Sequence, residues 1–134
     1  MAHKVVTQRL QSYIPKSERG VENPTEVFYI PMNKRQFDEW LDSMTKVEKG
    51  KVVTNNAKGT EFLYKKVLAQ NPEGIVIKNV YLEGSDKISH ITTVEQATKL
   101  LLEMTDLVMA NEIERTLRGS SVLDEDEEKN SDGQ

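Results

Sequence analysis

The chain has 134 residues, of which 37% are hydrophobic and 30% charged, a composition typical of one polar globular domain with a modest core. It contains no cysteine, which excludes disulfides, thiolate nucleophiles and cysteine-based metal sites. No stretch approaches the ~20 consecutive apolar residues of a membrane span, and the first residues lack the apolar core of a signal peptide. We therefore expect a protein of the reducing cytoplasm.

Charge is unevenly distributed, because the C-terminal end is acidic and the rest is nearly neutral. Residues 119–134 contain six acidic residues and one lysine, a net charge of −5, whereas the whole chain carries −4. A segment with this charge and no aromatic residue cannot offset the entropy of ordering. We predict an extended N-terminal arm over 1–25, a single globular domain over 26–118 and a disordered acidic tail over 119–134.

The first predicted elements after the arm are a strand and a helix. Residues 26–31 are rich in β-branched and aromatic side chains and end at a proline, which predicts a strand. Asn33 can cap the next helix while Gln36 reaches back to it in a capping box. This helix is predicted to end near residue 46. Its apolar stripe consists of Phe37, Trp40, Leu41 and Met44.

The middle of the chain predicts a basic loop, a helix and a second strand. Residues 46–59 read as a loop with room for a short strand at 51–53. Residues 60–70 favour a helix by propensity, although the first arm of a hairpin also fits. Residues 75–82 are β-branched and predict a strand, which the turn-forming residues 83–86 close.

The strongest helical pattern predicts one long amphipathic helix near the C-terminus. Thr92 or Thr93 can cap its start, and Gly119 stands where a C-terminal glycine is expected. About 27 residues at 1.5 Å each give a length of roughly 40 Å. Together with a small sheet, this helix makes the predicted fold class α+β and helix-rich.

This helix has two apolar faces. The first is expected to dock on the body of the domain and consists of Val94, Ala97, Leu100, Leu101, Met104, Leu107 and Val108. The second lies on the other side and consists of Leu102, Met109, Ala110, Ile113 and Leu117. Either the N-terminal arm folds over the second face, or that face mediates self-association or binds a protein partner.

The sequence carries no catalytic or metal-binding motif, so we expect neither an enzyme nor a cofactor. The motifs of serine hydrolases, phosphate-binding loops, dinucleotide-binding folds and zinc proteases are missing. His3 and His90 have no ligand pattern around them and are expected to be a terminal residue and a polar loop residue. Trp40 lies in an apolar stripe and is expected in the core rather than in a binding site.

A lysine-rich segment over residues 46–66 carries a net charge of +4 and favours an alternative function. Lysines that neutralise phosphates and aromatic side chains that stack on bases are the requirements for binding single-stranded nucleic acid. The residues concerned are Lys46, Lys49, Lys51, Lys58, Lys65, Lys66, Phe62 and Tyr64. Six lysines on a loop and a helix are also typical of an ordinary solubilising surface.

The order of these elements resembles that of the small tail assembly chaperones of long-tailed bacteriophages. The resemblance rests on the strand 27–31 leading into the helix 33–41, then the segment 62–68, the long helix and the charged tail. It covers residues 26–128 in layout and includes no diagnostic motif. It implies a mostly helical, non-enzymatic protein that holds tape-measure and tail-tube proteins during assembly. The predicted strand 75–82 departs from that pattern.

We therefore predict a non-enzymatic protein that acts in protein–protein interaction or assembly, as a chaperone, adaptor or structural accessory. Its partner, or a second copy of the chain, is expected to bind the C-terminal helix, with no membrane involved. For a phage protein the expected location is the host cytoplasm or the virion. Binding of single-stranded nucleic acid by the lysine-rich segment is the alternative.

Overall fold

The structure is a computed structural model that describes residues 9–81 and 87–122, with side chains up to residue 119. The fold class is the predicted one, α+β, with four α-helices and a small antiparallel sheet. His3, the closing segment 83–86 and the tail beyond residue 122 lie outside the described residues.

The described chain contains six strands and four α-helices. In order they are β1 (Gln11–Tyr13), β2 (Glu26–Tyr29), α1 (Lys34–Met44), β3 (Thr45–Glu48), β4 (Lys51–Thr54), α2 (Asn56–Val67), β5 (Ile77–Tyr81), β6 (Ile88–Ile91), α3 (Val94–Lys99) and α4 (Leu107–Val122), with a 3-10 turn at Lys16–Glu18 and a π-helical turn at Leu100–Met104.

The main sheet is antiparallel and has the strand order β1-β2-β5-β6. The predicted strands at 26–31 and 75–82 are confirmed as β2 and β5, which pair with Val27 opposite Ile77. β1 pairs with β2 through Ser12 opposite Phe28. Residues 11–13 of the predicted arm therefore form an edge strand of the sheet, so this part of the arm belongs to the folded domain.

Two capped helices follow β2 and confirm two predictions. The Asn33 side chain accepts a hydrogen bond from the Gln36 amide at 2.8 Å, and the Gln36 side chain accepts one from the Asn33 amide at 3.0 Å. The predicted helix over 60–70 is α2, which begins earlier because Asn55 caps it by accepting from the Lys58 amide at 3.2 Å.

Trp40 joins these two helices in the core, as predicted. Its indole Nε1 donates to the Gly59 carbonyl oxygen at 3.0 Å, and the side chain is buried. A Cβ on Gly59 would lie 2.2 Å from Cγ of Met44, so the helices approach this closely only with a glycine there. Because this contact joins the end of α1 to the start of α2, the residues that connect the two helices, 45–55, leave the helix pair at that end.

The predicted single C-terminal helix is broken, which corrects the expectation of one continuous 27-residue element. α3 begins after Thr93, whose hydroxyl accepts from the Gln96 amide, and passes into the π-helical turn. Thr105 then has extended backbone angles, and its hydroxyl donates to the Leu100 carbonyl oxygen at 2.9 Å. Asp106 starts α4 by accepting from the Met109 amide at 3.0 Å.

Residue chemistry explains this break. Threonine and aspartate side chains compete for nearby backbone groups and therefore favour helix ends over helix interiors. α4 continues through Gly119 to Val122, so Gly119 does not end the helix as predicted. Residues 119–122 consequently belong to α4 rather than to the predicted tail.

The core lies between the main sheet, α2 and α4. Its largest fully buried side chains are Tyr64, Leu63, Ile77, Ile113, Leu117, Val27, Val67 and Val76. The residues of α2 in this set lie at helical spacing, and those of the strands face the helices. The two-stranded pair β3–β4 contributes none of these side chains.

Candidate interaction surfaces

β3 and β4 form a separate two-stranded ribbon between α1 and α2, which we call the basic hairpin (residues 45–54). Its turn is Lys49-Gly50, and both residues have positive φ, 51° and 77°. Positive φ at both central positions identifies a type I′ turn, whose twist matches that of the flanking strands. The predicted strand at 51–53 is thus confirmed as β4, and the rest of the predicted loop contains its partner strand.

The two faces of the basic hairpin differ in chemistry, because residues directly opposite each other share a face. Val47 lies opposite Val52, with Thr45 and Thr54 on the same side. The other face is mainly charged and carries Lys46, Glu48, Lys51 and Val53. The hairpin is therefore an amphipathic ribbon with three lysines and one glutamate.

Every residue of the basic hairpin is exposed to solvent. Val47 is 68% exposed and Val52 is 70% exposed, so the apolar face is uncovered. Within the described part of the chain, no third strand joins the ribbon. An isolated two-stranded hairpin is at best marginally stable in water, and open strand edges are sites of pairing. The basic hairpin thus has both an apolar face and strand edges free for contact.

A second surface is an open cavity of about 530 Å³ between the main sheet and the start of α4. Its floor is apolar and consists of Val27, Ile77, Val80, Leu101, Met109 and Ile113. Its rim carries three carboxylates, those of Glu18, Glu103 and Asp106. We call this cavity the acid-rimmed groove. It combines a hydrophobic floor with negative charge, and its volume lies in the range of binding pockets.

Large apolar side chains next to the groove are exposed, contrary to the prediction for the first helix face. Met104, Leu107 and Val108 are exposed, Val108 by 78%, although they were expected to dock. The break at Thr105 and Asp106 changes the face that α4 turns to the body, which exposes Leu107 and Val108, and Met104 is the last residue of the π-helical turn before the break. The docking residues of this set are Val94, Ala97, Leu100 and Leu101, all before the break.

The predicted partner-binding face is not a single exposed surface, which corrects the sequence-based interpretation. Ile113 and Leu117 are 1% and 0% exposed, and they belong to the core. Met109 and Ala110 are half-buried, with Met109 packed against the core, whereas Leu102 is exposed on the preceding segment. In this fold, the sheet and α2 cover the part of α4 that was expected to bind a partner.

The N-terminal arm contacts α4 at Glu112, which is not a residue of the second apolar face, so these contacts differ from the expected covering of that face by the arm. The Tyr13 hydroxyl donates to a carboxylate oxygen of Glu112, and the Lys16 amide donates to the same oxygen at 2.7 Å. The hydrogen bond from Tyr13 holds the pKa of the Glu112 carboxyl below its usual range. Burial, and then the bond to Glu112, raises the pKa of the Tyr13 hydroxyl.

The structure divides the lysine-rich segment between two elements. Lys46, Lys49 and Lys51 lie on the basic hairpin, and three more lie exposed on α2, which are Lys58, Lys65 and Lys66. Two are paired, Lys46 with Glu48 at 3.1 Å and Lys65 with Glu61 at 2.8 Å.

The aromatic residues of that segment do not form a stacking platform. Tyr64 is 1% exposed, and burial raises the pKa of its hydroxyl, with the nearby Glu114 carboxylate adding to the effect. Phe62 is half-buried, with the Lys66 ammonium 5.6 Å from its ring centroid. The segment therefore offers positive charge, but Tyr64 cannot stack on a base in this fold.

His90 lies in a strand rather than in the predicted loop. It belongs to β6, which pairs with β5, and its Nδ1 accepts from the Asn79 amide at 3.2 Å. Among the described residues, no group of three or more histidine, aspartate or glutamate side chains could hold a metal ion. None of the helices formed by these residues is long and apolar enough to cross a membrane.

No protein-family model, no curated protein and no solved structure matches this chain. The resemblance to phage tail assembly chaperones stays a prediction.

Proposed function

We propose that this chain is a non-enzymatic protein of protein–protein interaction or assembly that acts through the basic hairpin. One observation supports the proposal most: the Val47–Val52 pair and its ribbon are exposed, while the other described strand pairs belong to a sheet that packs on the core. An assembly chaperone of a bacteriophage tail is the specific form that the element order favours.

The energetic argument rests on burial and strand pairing. Covering a valine side chain contributes about 1.5–2 kcal/mol, so a partner that covers Val47 and Val52 gains roughly 3–4 kcal/mol before the cost of association. A strand added along an edge of the ribbon would contribute main-chain hydrogen bonds. The positive charges of Lys46, Lys49 and Lys51 would attract an acidic partner toward the ribbon and raise its association rate.

The test removes the ribbon and leaves its base. Lys46 lies opposite Val53, two positions from the Glu48–Lys51 pair that flanks the present turn, so an Asn-Gly pair can replace residues 47–52 and close a two-residue turn in the same register. The Asn55 amide donates to the Met44 carbonyl oxygen at 2.6 Å and holds the base of the loop. We expect the shortened variant to keep its fold by circular dichroism and to lose the proteins that the wild type captures from its native lysate.

Two further variants sharpen this experiment. Val47→Ser with Val52→Ser should lose most of the capture, because it removes the apolar face and keeps the ribbon. Val21→Ser changes another exposed valine outside the hairpin and should capture as the wild type does. If the shortened variant retains the same proteins at the same yield, the hairpin is not the interaction element.

Nucleic-acid binding is a separate outcome of the same experiment. If nuclease treatment abolishes the capture, the captured proteins are held through nucleic acid. The alternative function, binding of nucleic acid by the lysine-rich segment, is then favoured. Six phosphate contacts on a single strand would lower affinity about 300-fold between 50 and 200 mM salt. Titration of labelled single-stranded DNA at these two salt concentrations decides the question.

A further inference from the structure

We propose that the partner of the basic hairpin is a second copy of this chain, which receives the hairpin in its acid-rimmed groove. The inference rests on the proposed function and names the partner of that same surface. It stands on two exposed surfaces of one chain that are complementary in charge and in hydrophobicity.

Charge complementarity is the first argument. The basic hairpin carries three lysines and one glutamate, and the glutamate, Glu48, is already 3.1 Å from Lys46. The rim of the groove carries the carboxylates of Glu18, Glu103 and Asp106. A positive surface that meets a negative one gains specificity and a faster association rate. The four-carbon lysine stem lets the ammonium group reach the rim from the opposite face of the ribbon.

Hydrophobic complementarity is the second argument. The floor of the groove consists of apolar side chains that are mostly buried, and the exposed side chains of Met104 and Tyr81 line the groove beside them. The apolar face of the hairpin presents Val47 and Val52, with only threonines beside them. A cavity of about 530 Å³ has room for such side chains, and the apolar groups that they would cover are Met104, Tyr81 and the half-buried Met109.

The contact must form between copies, because both surfaces are open in the same chain. Every residue of the hairpin is exposed, so the hairpin does not occupy the groove of its own chain. Two copies can make this contact twice by exchanging hairpins across a two-fold axis, or each copy can bind the next in a ring or an open chain. One hairpin is a small interface, so we expect weak association that salt weakens further.

The test exchanges charge between the two surfaces of the full chain. One variant carries Lys49→Glu and Lys51→Glu on the hairpin, which changes the hairpin from +2 to −2. The other carries Glu18→Lys and Glu103→Lys on the rim, which changes the three rim groups from −3 to +1 and leaves Asp106 to cap α4. In each variant alone the two surfaces repel. In an equimolar mixture, every hairpin finds a groove of opposite sign on the other variant.

Sedimentation velocity over a concentration series gives the result. We expect the wild type to grow in average mass with concentration, each variant to associate at least about tenfold more weakly, and the mixture to recover to within about threefold of the wild type. Lys58→Glu with Lys66→Glu and, separately, Glu39→Lys reverse charges outside the two surfaces and should associate as the wild type does.

Three results would overturn the inference: a wild type that stays monomeric up to about 1 mM, variants that associate unchanged, or a mixture that does not recover. A monomeric wild type whose hairpin still captures another protein would leave the proposed function standing. If the hairpin neither self-associates nor captures a protein, both proposals fail.

Discussion

Two antiparallel strand pairs in this chain contain valines at comparable positions, and they meet opposite environments. Val27 in β2 is 0% exposed, whereas Val47 in β3 and Val52 in β4 are more than two-thirds exposed. The difference is that helices α2 and α4 cover one face of the main sheet, while no described element covers the basic hairpin. β-branched residues explain why both regions form strands, but only the covering helices decide which strands are buried.

The comparison indicates that one region of the chain provides stability and that another is available for association. The sheet with α2 and α4 holds the core and therefore the stability of the domain. The basic hairpin extends from the α1–α2 pair without contributing a buried side chain. Changes in the first region should therefore affect folding, and changes in the second should affect association.

The largest effect on stability is expected for Ile113→Asp. This side chain is 1% exposed, and a carboxylate there would be buried without a partner. We expect a loss of at least about 4 kcal/mol, comparable with the whole stability of such a domain, and an unfolded chain by circular dichroism. Val108→Asp is the matched control, because it lies on the exposed side of the same helix and should change stability by less than about 0.5 kcal/mol.

A smaller effect is expected at the base of the hairpin. Trp40→Phe removes the hydrogen bond from Nε1 to the Gly59 carbonyl oxygen and part of the packing between α1 and α2. We expect a loss of about 1–2 kcal/mol in urea unfolding, with the fold retained. An unchanged midpoint would show that this contact does not hold the two helices together.

A still smaller, pH-dependent effect tests whether the arm belongs to the core region. The Tyr13 hydroxyl lowers the pKa of Glu112, so the folded state favours the charged carboxylate. The resulting stability is present at neutral pH and is lost as pH falls from about 4.3, the ordinary glutamate value, through the lowered pKa.

The substitution Glu112→Gln isolates this contribution. At pH 7 the variant should be less stable than the wild type by about 1 kcal/mol, because the charged acceptor is gone. The difference should shrink as the pH falls toward about 3, since the wild-type carboxyl is then protonated. A difference that does not vary with pH in urea unfolding would contradict the role of Tyr13.

The smallest effect is expected when the hairpin is shortened. Replacing residues 47–52 by Asn-Gly removes no buried side chain, so the free energy of unfolding should change by less than about 0.5 kcal/mol. A fall in the melting temperature of more than about 5 °C, roughly 1 kcal/mol for a domain of this size, would place the hairpin within the stabilising region.

Local chemistry made several elements predictable from the sequence. The Asn33 cap, the helix over 60–70 and the strands at 26–31 and 75–82 follow from capping, propensity and β-branched residues, and the structure confirms them. The hairpin also left a signal, since Val47 stands between the charged residues Lys46 and Glu48, and Gly50 separates them from the valines at 52 and 53. The turn itself had no clear signal, because lysine is an uncommon residue at the positive φ that Lys49 adopts.

The orientation of the C-terminal helices could not be predicted in the same way. Helical periodicity was correct for Ala97 and Leu101, but it assumed a continuous helix through Thr105 and Asp106. Once that break changes the phase, Ile113 enters the core and Val108 leaves it. The acid-rimmed groove was not predicted either, because it joins the 3-10 turn, the main sheet and the helix break, which are distant in sequence.

Native-state hydrogen exchange tests the separation of the two regions most directly. At a concentration where the protein sediments as a monomer, we expect the amides of β3 and β4 to exchange through local openings of about 1 kcal/mol or less, and those of α2 and α4 in the core only with global unfolding. Protection of the hairpin should rise at higher protein concentration as copies associate. Hairpin amides as well protected as the core in the monomer would contradict the account.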